Sequence, residues 1–280
     1  MNRTLICVDL SNQVYKASAA HPMLSSGDEF TGGLYGFMMA IAKAIDECDA
    51  TSVVLCTDSK PYKRSLVYPE YKLLRADTKD PELAERATTS IAQIRELMKV
   101  MGWPIWSIPG FESDDLIAHA TIYYRHRYNK IIAMSNDSDL YQLFEWKHFG
   151  LYKGKKGLYT HEDYDAEWGL PAKKLVEALA MTGTHNEVEG IHGIGPATAR
   201  KLITGDPAKY RTVREKNLEL IKRNESVIKL PHPDFPVGEN IPPYSCKYNE
   251  RALQRFCARY EIQLQRWQSE NFERINKNGN

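Results

Sequence analysis

The chain has 280 residues, 42% of them hydrophobic and 26% charged, which supports a sizeable core in one large domain or in a medium domain with a smaller companion. Five cysteines without a C-x-x-C spacing exclude a zinc ribbon or a disulfide framework and suit a reducing compartment. The net charge of +1 says nothing about a polyanionic partner, so any such signal must lie in how the charges are distributed.

In chain order, LICVDL (5–10) holds an apolar run of only four residues before Asp9, so a signal peptide is not expected there. The pattern returns in SVVLCTD (52–58) and IIAMSND (131–137). Runs apolar on both faces predict buried strands of a parallel sheet. Helical stretches lie between them: Leu34 to Glu47, Pro81 to Met101 and Asp114 to Arg125. Strands alternating with helices predict an α/β fold, a mostly parallel central sheet with helices on both faces. Within this part, residues 60–75 hold five cationic side chains against Glu70, while 76–90 are polar and expected to lack order without a partner.

The character changes near residue 165, which predicts an α/β domain over 1–165 and a helical region over 166–280. PAKKLVEALAMTG (171–183) reads as a helix, and GIHGIGPATARKLI (190–203) as a glycine-rich turn opening a helix with Pro196 in its first turn. Residues 197–223 carry eight cations against three acids. A Pro-rich loop (230–243) leads to a helix over 249–262, which is expected to close the ordered part, with the tail ERINKNGN fraying. No stretch approaches membrane-spanning length, so a cytoplasmic protein is expected.

In a parallel α/β sheet the functional crevice lies beyond the carboxyl ends of the strands. Asp9, Asp58 and Asp137 should meet there, with Asp139 two residues on and Glu112, Asp114 and Asp115 opening the helix between strands. So many carboxylates repel one another unless cations neutralise them, and hard divalent ions with oxygen ligands are the natural answer. Structural readings stand beside this one. Asp114 and Asp115 suit a helix first turn capped by Ser113, and Asp137 and Asp139 suit a turn. Asp9, at the end of an apolar strand, has the least structural reason to be there.

Taken together, these segments resemble the flap endonuclease / 5′–3′ exonuclease family, including its small free-standing phage and bacterial members. VDLSN (8–12), Tyr35-Gly36-Phe37 and CTDS (56–59) look like its first motifs. Arg64 with PEYKLLR (69–75) is similar to R…P-x-Y-K-x-x-R, and GFESDD (110–115) to G-x-E-A-D-D. SNDSDLYQL (135–143) resembles S-T-D-x-D-x-x-Q-L, and EGIHGIGPATARKL (189–202) resembles the helix–three-turn–helix element. Seven motifs in family order are far more specific than any one of them.

The resemblance implies a PIN-like 5′-nuclease fold with an appended helix–three-turn–helix region. It implies hydrolysis of DNA phosphodiesters at 5′ ends, flaps or junctions, with RNA/DNA hybrids left open, by a monomer. Asp9, Asp58, Glu112, Asp114 and Asp115 would build a first metal site for Mg²⁺, or Mn²⁺ in its place, and Asp137 and Asp139 would bridge towards a second. Lys72, Arg75 and Tyr71 would act at the scissile phosphate, Tyr71 by stacking on a nucleotide. Arg64, Gly190, Gly193, Gly195, Arg200 and Lys201 would hold DNA, with K⁺ on carbonyls of the 190–195 turn.

The family pattern breaks before that turn. Two aspartates that hold the second metal are replaced, on an ungapped alignment, by Gly183 and Asn186, with His185 and Glu187 nearby. Carboxylates at 183 and 186 are therefore expected to strengthen that site. Two other readings remain: a protein that binds branched or 5′-ended DNA with little hydrolysis, and a PIN-like ribonuclease.

Overall fold

The computed structural model describes residues 3–73, 80–184, 188–236 and 248–278. Six strands form one sheet, ordered β5 (Ile105–Trp106), β4 (Ser52–Cys56), β1 (Thr4–Asp9), β6 (Lys130–Met134), β7 (Phe149–Tyr152) and β8 (Leu158–Tyr159). All neighbours are parallel except β7 with β8. A small hairpin of β2 (Ser25–Ser26) and β3 (Glu29–Phe30) lies outside this sheet.

The central strands are buried on both faces, and the period-2 alternation of side chains sorts them into two cores. Ile6, Val8, Val53, Leu55, Ile132 and Met134 point into one. Leu5, Cys7, Val54, Cys56, Ile131 and Ala133 point into the other. The first core is covered by α1 (Leu10–Ala20), α2 (Gly32–Glu47) and part of α4 (Pro81–Met101). The second is covered by α5 (Ser113–Tyr123), a 3₁₀ segment at Ser138–Glu145 and α6 (His161–Trp168). The short α3 (Arg64–Val67) leads towards the site.

Helix α4 begins inside the stretch expected to lack order. Asp80 accepts hydrogen bonds from the backbone N–H of Glu82 and Leu83, Pro81 fills the first helical position, and Gly102 at φ +70° ends the helix. Residues 76–79 of that stretch lie outside the described residues.

The helical region comprises α7 (Leu175–Thr182), α8 (Pro196–Thr204), α9 (Pro207–Lys216) and α10 (Leu218–Ile228), gathered round a third core that includes Met181, Ala199 and Ile221. The expected division at 165/166 does not separate the cores. Helices α11 (Glu250–Arg259) and α12 (Arg266–Asn278) return to the first core, where Leu253, Phe256, Phe272 and Ile275 are buried. The tail read as fraying is thus helical through Asn278, with Phe272 edge-on to Trp103 at 5.6 Å. Phe272 and Ile275, two buried apolar side chains among polar ones, were too sparse to predict it. Among the described residues, no helix is long and apolar enough to cross a membrane.

After α7 the chain forms a two-strand ladder, β9 (Gly183–Thr184) with β10 (Val188–Glu189). Gly183 has φ +76°, and a Cβ there would lie 2.4 Å from the Val188 carbonyl oxygen and 2.6 Å from the Gly190 nitrogen. Only glycine fits both the dihedral and the space. Gly183→Ala is expected to lower stability by about 1–3 kcal/mol, read as a reduced denaturant midpoint. An unchanged midpoint would show that the ladder is not packed this tightly.

Candidate active site

The parallel register places Asp9 opposite Cys56 and Val8 opposite Met134, so Asp9, Asp58 and Asp137 emerge along one edge of the sheet. Each also begins the element that follows or supports one. Asp9 caps α1 by accepting from the Asn12 N–H at 3.2 Å, which supplies the structural reason that sequence reading did not find. Asp137 accepts from the Asp139 N–H at 2.9 Å, and Asp58 from the Ser113 N–H at 2.8 Å. Ser113 is not the cap of α5; Glu112 holds that position in a reciprocal capping box with Asp115. The Ser113 hydroxyl instead donates to Asp9, as does that of Ser135.

The acids fall into two groups by what compensates them. Asp115, fully buried, receives both guanidinium nitrogens of Arg64 at 2.6 and 2.7 Å and the backbone N–H of Glu112 and His232. Its lone pairs are taken, so the expectation that it ligates a metal is corrected: it is a scaffold residue. Arg64, 3% exposed, also donates to Glu112 and to the Val227 and Lys229 carbonyls. It cannot reach a DNA phosphate, and that expectation too is corrected. Glu112 accepts from Arg64, from the Tyr71 hydroxyl at 2.9 Å and from Lys72.

Asp9, Asp58, Asp114 and Asp137 form the second group. The hydrogen-bond donors to Asp9, Asp58 and Asp137 are neutral N–H and O–H groups, which leave the charge in place. Burial, then the carboxylates of Asp58 and Asp137, push the Asp9 carboxyl up to about 6. Burial, then Asp137 and Asp9, hold Asp114 well above the ordinary range, with the Lys72 charge opposing them only in part. Asp114 Oδ1 is buried with no hydrogen-bond partner. A buried carboxylate oxygen without a donor, among like charges, fits a hard cation in charge and donor type. The fit is not preassembled: among the described residues, no three His, Cys, Asp or Glu side chains already stand in a geometry that could hold an ion.

Lys72 stands over this group. Its backbone is left-handed, φ +60°, a cost that persists where the surroundings dictate it. Its ammonium meets Glu112 and lies 5.5 Å from the Tyr62 ring and 5.2 Å from the Tyr71 ring. Tyr71 is 8% exposed and tied to Glu112, so the expected stacking face is closed; it braces Glu112 instead. Arg75 lies outside the described residues.

Beside Asp137 and Asp139 opens a cavity of about 680 Å³, lined further by Trp168, Thr184, Pro196 and Arg200. Gly183 lines it with backbone only, so the expectation of a useful carboxylate at 183 is corrected. The next residue, Thr184, also lines the cavity. His185, Asn186 and Glu187 lie outside the described residues. At Gly190 an added Cβ would meet the Thr182 carbonyl carbon at 2.2 Å, so the start of the turn has no room for a side chain. Gly193 and Gly195 are open, with nothing within 4 Å of an added Cβ. Arg200 and Lys201 are exposed, Arg200 anchored on the Trp168 carbonyl at 3.0 Å.

Comparison with known proteins agrees with this arrangement. Residues 4–169 match the 5′-3′ exonuclease, N-terminal resolvase-like domain. A 5′-3′ exonuclease of Aquifex aeolicus is 30% identical over 226 residues, 79% of this chain and 75% of that protein. DNA polymerase I of Bacillus caldotenax is 29% identical over 72% of this chain, which spans only 23% of the polymerase. The bacteriophage T5 D15 flap endonuclease, solved with DNA and metal ions, superposes with a TM-score of 0.67 at 19% identity, covering 82% of this chain and 90% of that one. The chain belongs to the 5′-3′ exonuclease family.

The raised carboxyls give a signed pH dependence. An acid whose folded pKa is raised contributes stability at low pH that is lost as pH rises from the ordinary carboxylate range upward, through about 6 for Asp9 and in the same direction for Asp114. Asp114→Asn should therefore gain stability on the wild type as pH rises in chelator-treated protein, measured by denaturant unfolding between about pH 4.5 and 7.5. A divalent ion should erase the gain. A difference that stays flat with pH would mean these carboxyls are not strained.

Proposed function

We infer that this chain is a divalent-metal-dependent 5′-nuclease that hydrolyses DNA phosphodiesters at 5′ ends, flaps or single-strand/duplex junctions. The observation that carries this reading is the uncompensated group Asp9, Asp58, Asp114 and Asp137, set at the carboxyl edge of the sheet beside Lys72. Mg²⁺ is the natural ion for such oxygen donors, and when bound it lowers the pKa of a water and neutralises charge on the leaving oxygen. Asp114 and Asp137 are the residues to hold it, Asp9 and Asp58 to complete the shell. Lys72 stabilises negative charge developing on the phosphate, with Glu112 fixing its ammonium. Open Gly193 and Gly195 let a duplex phosphate, and K⁺ on nearby carbonyls, approach the backbone beside the N-terminus of α8. The relative in Aquifex aeolicus bears the same activity in its name, and the T5 complex contains both DNA and metal ions. Binding without hydrolysis has no observation of its own in its favour.

The test is cleavage of 5′-flapped and nicked duplex DNA with Mg²⁺ and with Mn²⁺. Ion-dependent short products released from the 5′ side are expected; intact substrate under both ions would overturn the reading. Lys72→Ala should lower kcat roughly 10²–10³-fold while weakening DNA affinity far less, because its charge matters most where charge develops. Equal losses in rate and affinity would reduce Lys72 to a phosphate anchor.

A further inference from the structure

Gln142 belongs to the SNDSDLYQL segment, yet neither the acids nor the DNA contacts use it. Its side chain is buried and makes three hydrogen bonds. The amide donates to the Asp139 carbonyl at 2.8 Å and to the Ile228 carbonyl at 3.2 Å, and the oxygen accepts from the Leu230 N–H at 2.8 Å. One side chain therefore joins the chain at Asp139 to the end of α10.

The same helix end is held from the other half of the site. The last carbonyls of a helix have no partner within it and need one from outside. Arg64 supplies them at Val227, 2.7 Å, and Lys229, 3.3 Å, while its other nitrogens hold Asp115 and Glu112. Its positive charge also suits the negative end of the helix. Further along α10, Asn224 is fully buried and donates to the Ala180 carbonyl at 2.9 Å and the Glu189 carbonyl at 2.8 Å. Glu189 is the last residue before the 190–195 turn.

We propose that Gln142 and Arg64 are positioning residues, and that α10 is the strut through which they set the register between the glycine turn and the acids. The path runs from Glu189 through Asn224 and α10 to Gln142 at Asp139 and to Arg64 at Glu112, with a side-chain hydrogen bond at every junction off the helix. This rests on the reading that the turn holds duplex while the acids cut it. A phosphate gripped at the turn reaches the acids correctly only if the strut keeps its length and angle. Misplacement by about 1 Å is enough to cost roughly 100-fold in rate.

The experiment compares wild type, Gln142→Leu, Gln142→Glu, Asn224→Ala and the Gln142→Leu/Asn224→Ala double variant by their kcat on 5′-flapped duplex, their metal-free affinity for duplex, and their melting temperature. Gln142→Leu should lower kcat roughly 10- to 100-fold while duplex affinity stays within about twofold. Gln142→Glu keeps the size and the acceptor but loses both donated bonds; it should show the same split, and it supplies the reading should the leucine variant fail to fold. Combining Gln142→Leu with Asn224→Ala should cost little more than the worse single change, since both disturb one strut. Losses that multiply, losses that appear equally in affinity, or an unchanged kcat would each overturn the proposal. A wild type that cleaves nothing would overturn the nuclease reading itself, and this inference with it.

Discussion

A guanidinium hidden from water must be paired, and the pairing of Arg64 with Asp115 organises everything around the site. The pair is bidentate, at 2.6 and 2.7 Å, with both residues buried. Removing one partner from such a pair typically costs about 3–5 kcal/mol, because the other charge is left stranded. Four pieces of chain meet on these two side chains: α3, the start of α5, the end of α10, and the backbone at His232. Their common attachment sets where Glu112 points, and Glu112 in turn sets Tyr71 and Lys72.

That arrangement divides the acids by a simple electrostatic rule. Where a cation of the protein already sits, at Asp115 and Glu112, the charge is spent and the oxygens are occupied. Where only neutral donors sit, at Asp9, Asp58 and Asp137, the charge remains, and at Asp114 one oxygen has no donor at all. Mutual repulsion in a buried place is costly, and the raised Asp9 and Asp114 carboxyls register that cost. A divalent ion would relieve it without rearranging the scaffold, since the scaffold is held by the other acids.

Much of this was legible in the sequence because it depends on local pattern. Apolar runs closed by Asp9, Asp58 and Asp137 identified the central strands and the edge where the acids gather, and the register confirms their alignment. The helical stretch Pro81–Met101 was read with its observed bounds, although its first turns fell in the stretch expected to lack order. What failed depends on partners distant in the chain. Arg64 and Asp115 looked like a phosphate contact and a metal ligand, and only folding shows that they neutralise each other across 51 positions. Tyr71 looked like a stacking platform because its burial against Glu112 has no local signature. Helix α1 was missed because LSNQVYKASAA mixes polar and apolar residues, although Asp9 caps it. The role of Gly183 was misjudged because backbone crowding against Val188 cannot be read from residue types.

The central claim is that charge left uncompensated at Asp114, and not at Asp115, is what holds the ion. Mn²⁺ binding, followed by the loss of its free-ion magnetic resonance signal, tests this without any need for turnover. Wild type should take up about one ion tightly, and Asp114→Asn should weaken that ion by roughly a hundredfold or more, as expected for loss of a charged oxygen ligand. Asp115→Asn, assayed below its melting temperature, should keep the same ion within about threefold, since a scaffold partner contributes only through position. Loss of the ion on removing the Asp115 charge, with retention on removing that of Asp114, would contradict the account.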